Sequence, residues 1–503
     1  MGQKETITVK ITKFTHILAI SVLAFAAPVG VTAQDAKQNH GAKHHHYKLI
    51  DLGTLGGPQS VVYEQVTRSL NNNGTVVYTA DTSTFDPNPY FLYPDGYFDP
   101  YIQHVSEWRG GVKTDLGSLP GNTSANTQWI NERGIIVGQS TNGQIDSLTG
   151  NPEVIATLWK AGKVHNLGTL GGNGSAAYAV NDPGLVVGWA SNTIPDAFAY
   201  VVTFAPGATQ AHAVLWQDGV IKDLGTLGGP DSAAYFVNER GQIAGQSLTN
   251  SNPNAATGFP TQDPFLWEKG KMIDLGTLGG TNGYPLSMNN SGQVVGVSDL
   301  AADQNLHQHA FLWDQGTMKD LGTLGGTFSE AWQINDAGEV AGHSSLPDGQ
   351  VHPFLWKNGT MLDLGSIGQP CAYAIGINSP GQVVGASFDC NLGGYNAFLW
   401  EHGSIVDLNS LIPADSSLHL GQASSINDRG EIVGTALLPG GDPQYFSNGY
   451  LHAFLLVPCD ANHPDLEGCD YGLVDAAEAT NLSPGRVLRA EQRLPHSHRA
   501  MRH

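Results

Sequence analysis

The stretch DLGTLGG at residues 51–57 returns verbatim at 223–229, 274–280 and 320–326, and as NLGTLGG at 166–172. Looser copies are DLGSLPG from Asp115, DLGSIGQ from Asp363 and DLNSLI from Asp407. A catalytic motif is normally needed once, so a motif written this often points first to architecture.

Aligning the chain on DLG exposes three further recurrences. An apolar residue plus Asn, two variable residues and Gly recur at Asn71, Asn131, Asn181, Asn238, Asn289, Asn335, Asn378 and Asn427, spaced 60, 50, 57, 51, 46, 43 and 49 residues apart. An apolar run such as IIVG or LVVG follows that Gly. An aromatic-rich run then ends in Trp108, Trp159, Trp216, Trp267, Trp313, Trp356 and Trp400, with Leu456 in the last place. A period of roughly 45–60 residues falls in the range of propeller blades. Each unit holds four short runs rich in β-branched and aromatic residues, with no helical period between them. Tight turns separate them: Gly after the Trp run, Pro-Gly in VNDPG and INSPG, and an Asn able to bond its own backbone. The expected fold is all-β, a propeller of about eight four-stranded blades. An open β-solenoid and a seven-bladed ring are the alternatives.

This pattern resembles the bacterial extracellular HAF repeat family, named for a triplet present at His309-Ala310-Phe311 and His452-Ala453-Phe454. The likeness runs over about residues 47–457. The triplet drifts to HAV at His212, HPF at His352 and NAF at Asn396, and the first unit is degenerate. The resemblance implies a location and a repeat rather than an activity.

The eighth unit stops at YLHAFLLV, residues 450–457, without a fourth strand, while YKLIDLG at 47–53 is a fourth strand with no unit before it. One missing strand and one spare of the right type imply that the N-terminal strand completes the last blade, which relieves the edge problem. Loops between second and third strands share a face with the LGTLGG crossovers. The longest insertions fall there, roughly at 81–101, 141–153, 190–210 and 248–262. They carry Tyr90, Phe91, Tyr93, Tyr97, Phe98, Phe198, Tyr200 and Phe204, the candidate binding residues, suited to stacking on sugar rings or covering apolar surface.

The flanks read differently. Lys4, Lys10 and Lys13 precede the apolar run ILAISVLAFAAPVGVTA, the pattern of an export signal over 1–33. A His-rich linker follows at 34–46, in which KHHHYK is expected to be solvated. Four cysteines fall as two local pairs, Cys371 with Cys390 and Cys459 with Cys469, expected to be disulfides in an oxidising compartment. The second pair pins an appendage at 458–482, before a disordered basic tail at 483–503. Lys and Arg total 24 against 45 Asp and Glu, net −21, which argues against a nucleic-acid partner. The chain is expected to be secreted or periplasmic, monomeric and without a membrane span.

The sequence lacks H-E-x-x-H, a phosphate-binding loop and G-x-S-x-G, although GHSS at Gly342 begins to resemble the last. The repeated Asp of DLG is read as a structural hydrogen-bond acceptor, so no metal, cofactor or catalytic residue is assigned. The expected function is a noncatalytic scaffold binding an extracellular protein or glycan through the insertion face. The alternative is a propeller hydrolase or lyase with its site at the central channel mouth, which needs titratable groups that break the repeat.

Overall fold

The structure is a computed structural model describing residues 42–62, 68–90, 99–121, 123–196, 209–254, 258–301, 307–391, 393–441 and 451–475. These residues form eight successive four-stranded antiparallel blades, with strands beside one another in chain order and no α-helix among the described residues. Blades 4 and 5 are also joined by one parallel bridge, Gln262 to Asn282. From blade 2 to blade 8 the first strands of neighbouring blades lie against one another. Seven blades are continuous in sequence. The eighth takes three strands, His419–Ile426, Ile432–Leu437 and Leu451–Pro458, from the end of the chain and its fourth, Tyr47–Asp51, from the start. The count is therefore eight rather than the alternative seven.

Core packing explains the motif letters. Hydrophobic clusters form between facing sheets, as where Val295, Ala310 and Leu312 of blade 5 meet Ala331, Val340 and Phe354 of blade 6. The Phe of the triplet is fully buried at Phe311, Phe354, Phe398 and Phe454. Each lies across from the Gly of the second strand, as Phe354 does from Gly342. A Cβ on Gly342 would stand 2.0 Å from the Glu330 carbonyl oxygen and 2.8 Å from the Phe354 ring. In the degenerate first blade the large and small partners change places: buried Tyr78 lies across from Ser106.

The Asn does more than close its own turn. The Asn131 side-chain oxygen accepts from Arg133 N and Ile135 N at 3.0 and 2.8 Å, the expected Asx geometry. Its amide nitrogen donates to the Asn181 carbonyl in the next blade at 2.8 Å. The same bond runs from Asn71 to Asn131, from Asn181 to Asn238, and on through Asn289, Asn335, Asn378 and Asn427, whose amide donates to the Asn71 carbonyl at 3.0 Å. All eight residues are buried. A substitution there leaves buried donors and acceptors unmatched in two blades at once.

At the termini, Lys43–His45 pairs with Leu473–Asp475 as a separate two-stranded sheet. His44 is fully buried and its Nδ1 lies 2.9 Å from Glu401 Oε1. The reading of this stretch as a solvated linker is corrected: pairing with the later strand carries the imidazole under cover. Both cysteine pairs are disulfides, with Cα atoms 5.2 Å apart for Cys371–Cys390 and 5.4 Å for Cys459–Cys469. No helix among the described residues is long and apolar enough to cross a membrane. Residues 1–33 and the tail at 483–503 lie outside the described residues.

Candidate functional site

The repeated Asp and the triplet His belong together. The imidazole Nδ1 lies beside the DLG carboxylate of the adjacent strand at His104–Asp115, His212–Asp223, His309–Asp320, His352–Asp363 and His452–Asp51, at 2.8–3.0 Å. The same carboxylate accepts from the backbone N–H two residues on, as Asp320 does from Gly322 at 2.7 Å. This is the structural acceptor role expected of the Asp. Partial burial pushes the Asp320 pKa up, but the His309 and Gly322 bonds outweigh it and hold the carboxyl below its usual range. Where the His is replaced by Ile155, in blade 2, the Asp is replaced by Asn166. These pairs are part of the repeat, not a site.

Inside blade 6 an acid–base pair breaks the repeat, joining first and second strands of the same sheet. Glu330 on the first strand of blade 6, Ser329–Ile334, lies across from His343 on the second, Val340–Ser345. The corresponding residues of blade 3 are Ala176 and Trp189. His343 Nε2 is 3.4 Å from Glu330 Oε2, with side chains only 6% and 13% exposed. A bulge between Ala331 and Gln333 accommodates Trp332, whose indole N–H donates to Glu330 Oε2 at 3.1 Å. Rings of Phe328, Trp332 and Tyr373 stand 5.9, 6.0 and 5.9 Å from the imidazole. Burial pushes Glu330 up to about 7, with the Trp332 bond pulling the other way. Burial pushes His343 down to about 4. Near neutral pH the imidazole is uncharged and the carboxyl is divided between its acid and its base, the condition in which a carboxyl can give or take a proton. Tyr284 of blade 5 lies close enough for the Glu330 charge to add to the rise in its pKa, after burial.

Three other acids retain protons through burial and a neighbouring carboxyl. Asp81 is pushed up to about 8 against Asp99, Asp231 to about 8 against Asp196, and Asp263 to about 7 against Asp274. Asp99 and Asp196 stand at the ends of the two aromatic insertions. Asp263 occupies the triplet His position of blade 4. No group of three or more metal-ligating side chains occurs among the described residues.

Of the predicted binding residues, Phe91, Tyr93, Tyr97, Phe98, Phe198, Tyr200 and Phe204 lie outside the described residues. Tyr90 is described and half-buried. Burial raises its pKa, and it adds to the pKa of Tyr178, which burial pushes up to about 12. The insertions are partly strand: second strands of blades 1–3 run ten residues, to Phe85, Ile145 and Pro195. Glu330 and His343 were missed in the sequence reading. Their signal was a departure from the repeat at two positions that face each other only once the blade register is known.

No protein-family model matches the chain, and no curated relative matches its sequence. Among solved structures, the chain is similar to an acylaminoacyl peptidase of Pyrococcus horikoshii at 12% identity and TM-score 0.38, covering 75% of this chain and 59% of that one. A puromycin-hydrolyzing peptidase of Mycobacterium tuberculosis shows 13% identity and TM-score 0.40, covering 81% and 63%. The β-propeller domain of the trilobed protease from Pyrococcus furiosus shows 12% and 0.38, covering 69% and 98%. The chain thus spans about three-fifths of the length of the two peptidases. The fold these comparisons share with the chain is the β-propeller. The expectation of a noncatalytic scaffold is corrected here, because these neighbours are peptidases and accord with the hydrolase alternative. At such low identity they carry the fold alone, and the chemistry rests on the residues.

Proposed function

We propose that the chain is an exported propeller hydrolase or lyase of the HAF repeat family, with Glu330 and His343 as its acid–base centre. The observation that carries this reading is the burial of that pair at facing positions of the two inner strands of blade 6. It supplies the titratable groups that break the repeat, as an enzyme of this architecture requires. Glu330 is the proton donor and acceptor. His343, neutral at working pH, passes the proton on, and Trp332 fixes the carboxyl by its N–H. The two disulfides support maturation outside the cytoplasm, and residues 1–33 supply the export signal. The enzyme acts as a secreted or periplasmic monomer.

The test is a panel of chromogenic glycosides, esters and peptide anilides assayed with the mature protein and with Glu330→Gln. Turnover of one class, lowered about 10²–10⁴-fold in the variant, is the expected result for a lost general acid. Turnover unaffected by Glu330→Gln in a folded protein sinks the assignment.

A further inference from the structure

The ring contacts around His343 do not stop at the acid–base pair. Tyr373 of blade 7 continues to Phe388, 4.9 Å between centroids, and Phe388 to Tyr395, 5.4 Å with the rings 24° from parallel. Phe388 is 2% exposed and serves as backing, while Tyr373 and Tyr395 are half-buried. An aromatic strip therefore runs from blade 6 across the neighbouring blade. The Cys371–Cys390 disulfide joins the strand of Tyr373 to the end of the strand of Phe388. No other blade has a disulfide among the described residues.

The chemistry beside the strip is selective. Covalent acyl transfer needs a nucleophile bonded to the base, and donors for the developing oxyanion. The second imidazole nitrogen, His343 Nδ1, has no hydrogen-bond partner among the described residues, so no Ser or Cys among them is bonded to it. Phosphoryl transfer is stabilised by cations, and no Lys or Arg pairs with Glu330 among the described residues. What is present is a carboxylic acid able to protonate a poor leaving oxygen, one of the two roles acetal cleavage divides between a pair of groups, with the His343 imidazole beside it for the other. A sugar ring matches the strip as well, because its C–H face lies on a π surface while its hydroxyls reach polar groups at the edge.

Building on the acid–base reading above, we propose that the substrate is a neutral saccharide, seated on Tyr373 and Tyr395 with its glycosidic oxygen at Glu330. In the hydrolytic step Glu330 gives its proton to the bridging oxygen as the bond from that oxygen to the anomeric carbon breaks. The oxygen of a water bonds to the anomeric carbon, and one of the water's protons returns to the Glu330 carboxylate by way of His343.

Calorimetric titration of the mature full-length protein with cellohexaose, xylohexaose and chitohexaose tests the substrate class apart from the catalytic reading. At least one is expected to bind, with affinity about tenfold weaker in Tyr395→Ala and little changed in Tyr395→Phe, which keeps the ring. A folded Glu330→Gln is expected to bind the same sugar and not cleave it. Binding by none of the three overturns the saccharide proposal, as does equal binding by Tyr395→Ala. Glu330-dependent cleavage of a peptide anilide overturns the substrate class while leaving the acid–base centre standing. Cleavage of the bound sugar by Glu330→Gln at the wild-type rate overturns the centre and leaves the saccharide.

Discussion

The five histidine–aspartate pairs of the blade rims and the single histidine–glutamate pair of blade 6 put the same chemical groups to opposite ends. At the rim the carboxylate accepts a backbone N–H as well as the imidazole, and at Asp51, Asp115, Asp223 and Asp320 it is held below its usual pKa. Inside blade 6 the carboxyl loses water without gaining a backbone donor, and burial drives it up to about 7 while driving the imidazole down to about 4. The lesson is that proximity of a histidine and an acid does not define their charge state. The supply of other donors and of water does. A rim carboxylate such as Asp115 or Asp223 stays ionised, whereas the inner carboxyl is divided between its acid and its base near neutral pH.

The largest effect that can break this comparison concerns the one rim pair that joins the two ends of the chain. Removing residues 42–51 deletes Asp51, the partner of His452, together with the fourth strand of blade 8. The melting temperature is expected to fall by roughly 10 °C or more, with aggregation through the exposed strand edge. Equal melting of the truncated and complete mature chains would show that the pairing adds nothing.

The inner pair sets up a pH test of smaller size. Glu330 has a raised folded pKa, so its contribution to stability falls as pH rises from about 4.5 to about 7. His343 has a lowered one, so its contribution rises with pH between about 4 and 6.5. The two slopes oppose one another in the wild type. Relative to it, Glu330→Gln should gain stability as pH rises through 4.5–7, and His343→Gln should lose it through 4–6.5. Urea midpoints across that range read both, and profiles parallel to the wild type would mean that the pair is solvated.

Blade 4 offers the smallest and sharpest case, because Asp263 stands in the His position beside Asp274 and is pushed to about 7 by burial and that neighbour. Asp263→His restores the rim pair of the other blades. It should stabilise the protein by about 0.5–1 kcal/mol at pH 8, where Asp263 would otherwise be forced to ionise. A urea midpoint unchanged or lowered at that pH would place the burial cost in the site itself and not in the missing imidazole.

These cases also mark how far the sequence could be read. The Asn and Gly positions announced the blades because turn geometry restricts residue choice locally, and turns lie within a few residues of one another. The spare strand at 47–53 was legible because DLG labelled it. The interblade use of the Asn amide was not, since its acceptor is 43–60 residues away along the chain in seven of the bonds and 356 in the bond from Asn427 to Asn71. His44 was misread for the same reason, as the strand covering it begins at Leu473. Glu330 and His343 carry no motif. Their meaning comes from cross-strand register, burial and the rings of blade 7, none of which has a local signature. Tyr90 alone of the predicted aromatic residues can be placed, and it lies beside Tyr178 rather than Glu330.

The eighth blade has a consequence in time as well as in space. Tyr47–Asp51 precedes its partner strand, Leu451–Pro458, by nearly the whole repeat array, and Asp51 is separated from His452 by 401 residues. At about 5–20 residues per second, roughly 20–80 s of synthesis divide the two. The strand made earliest among the blades is the one that waits longest for a neighbour, through translation and, if the chain is exported, through passage across a membrane. Lys48 within it and Lys43 just before it give the waiting segment charges that discourage pairing with other chains. Quality control on such a molecule is decided late: seven blades can form in order of synthesis, and the eighth forms only once a strand from the beginning reaches strands from the end.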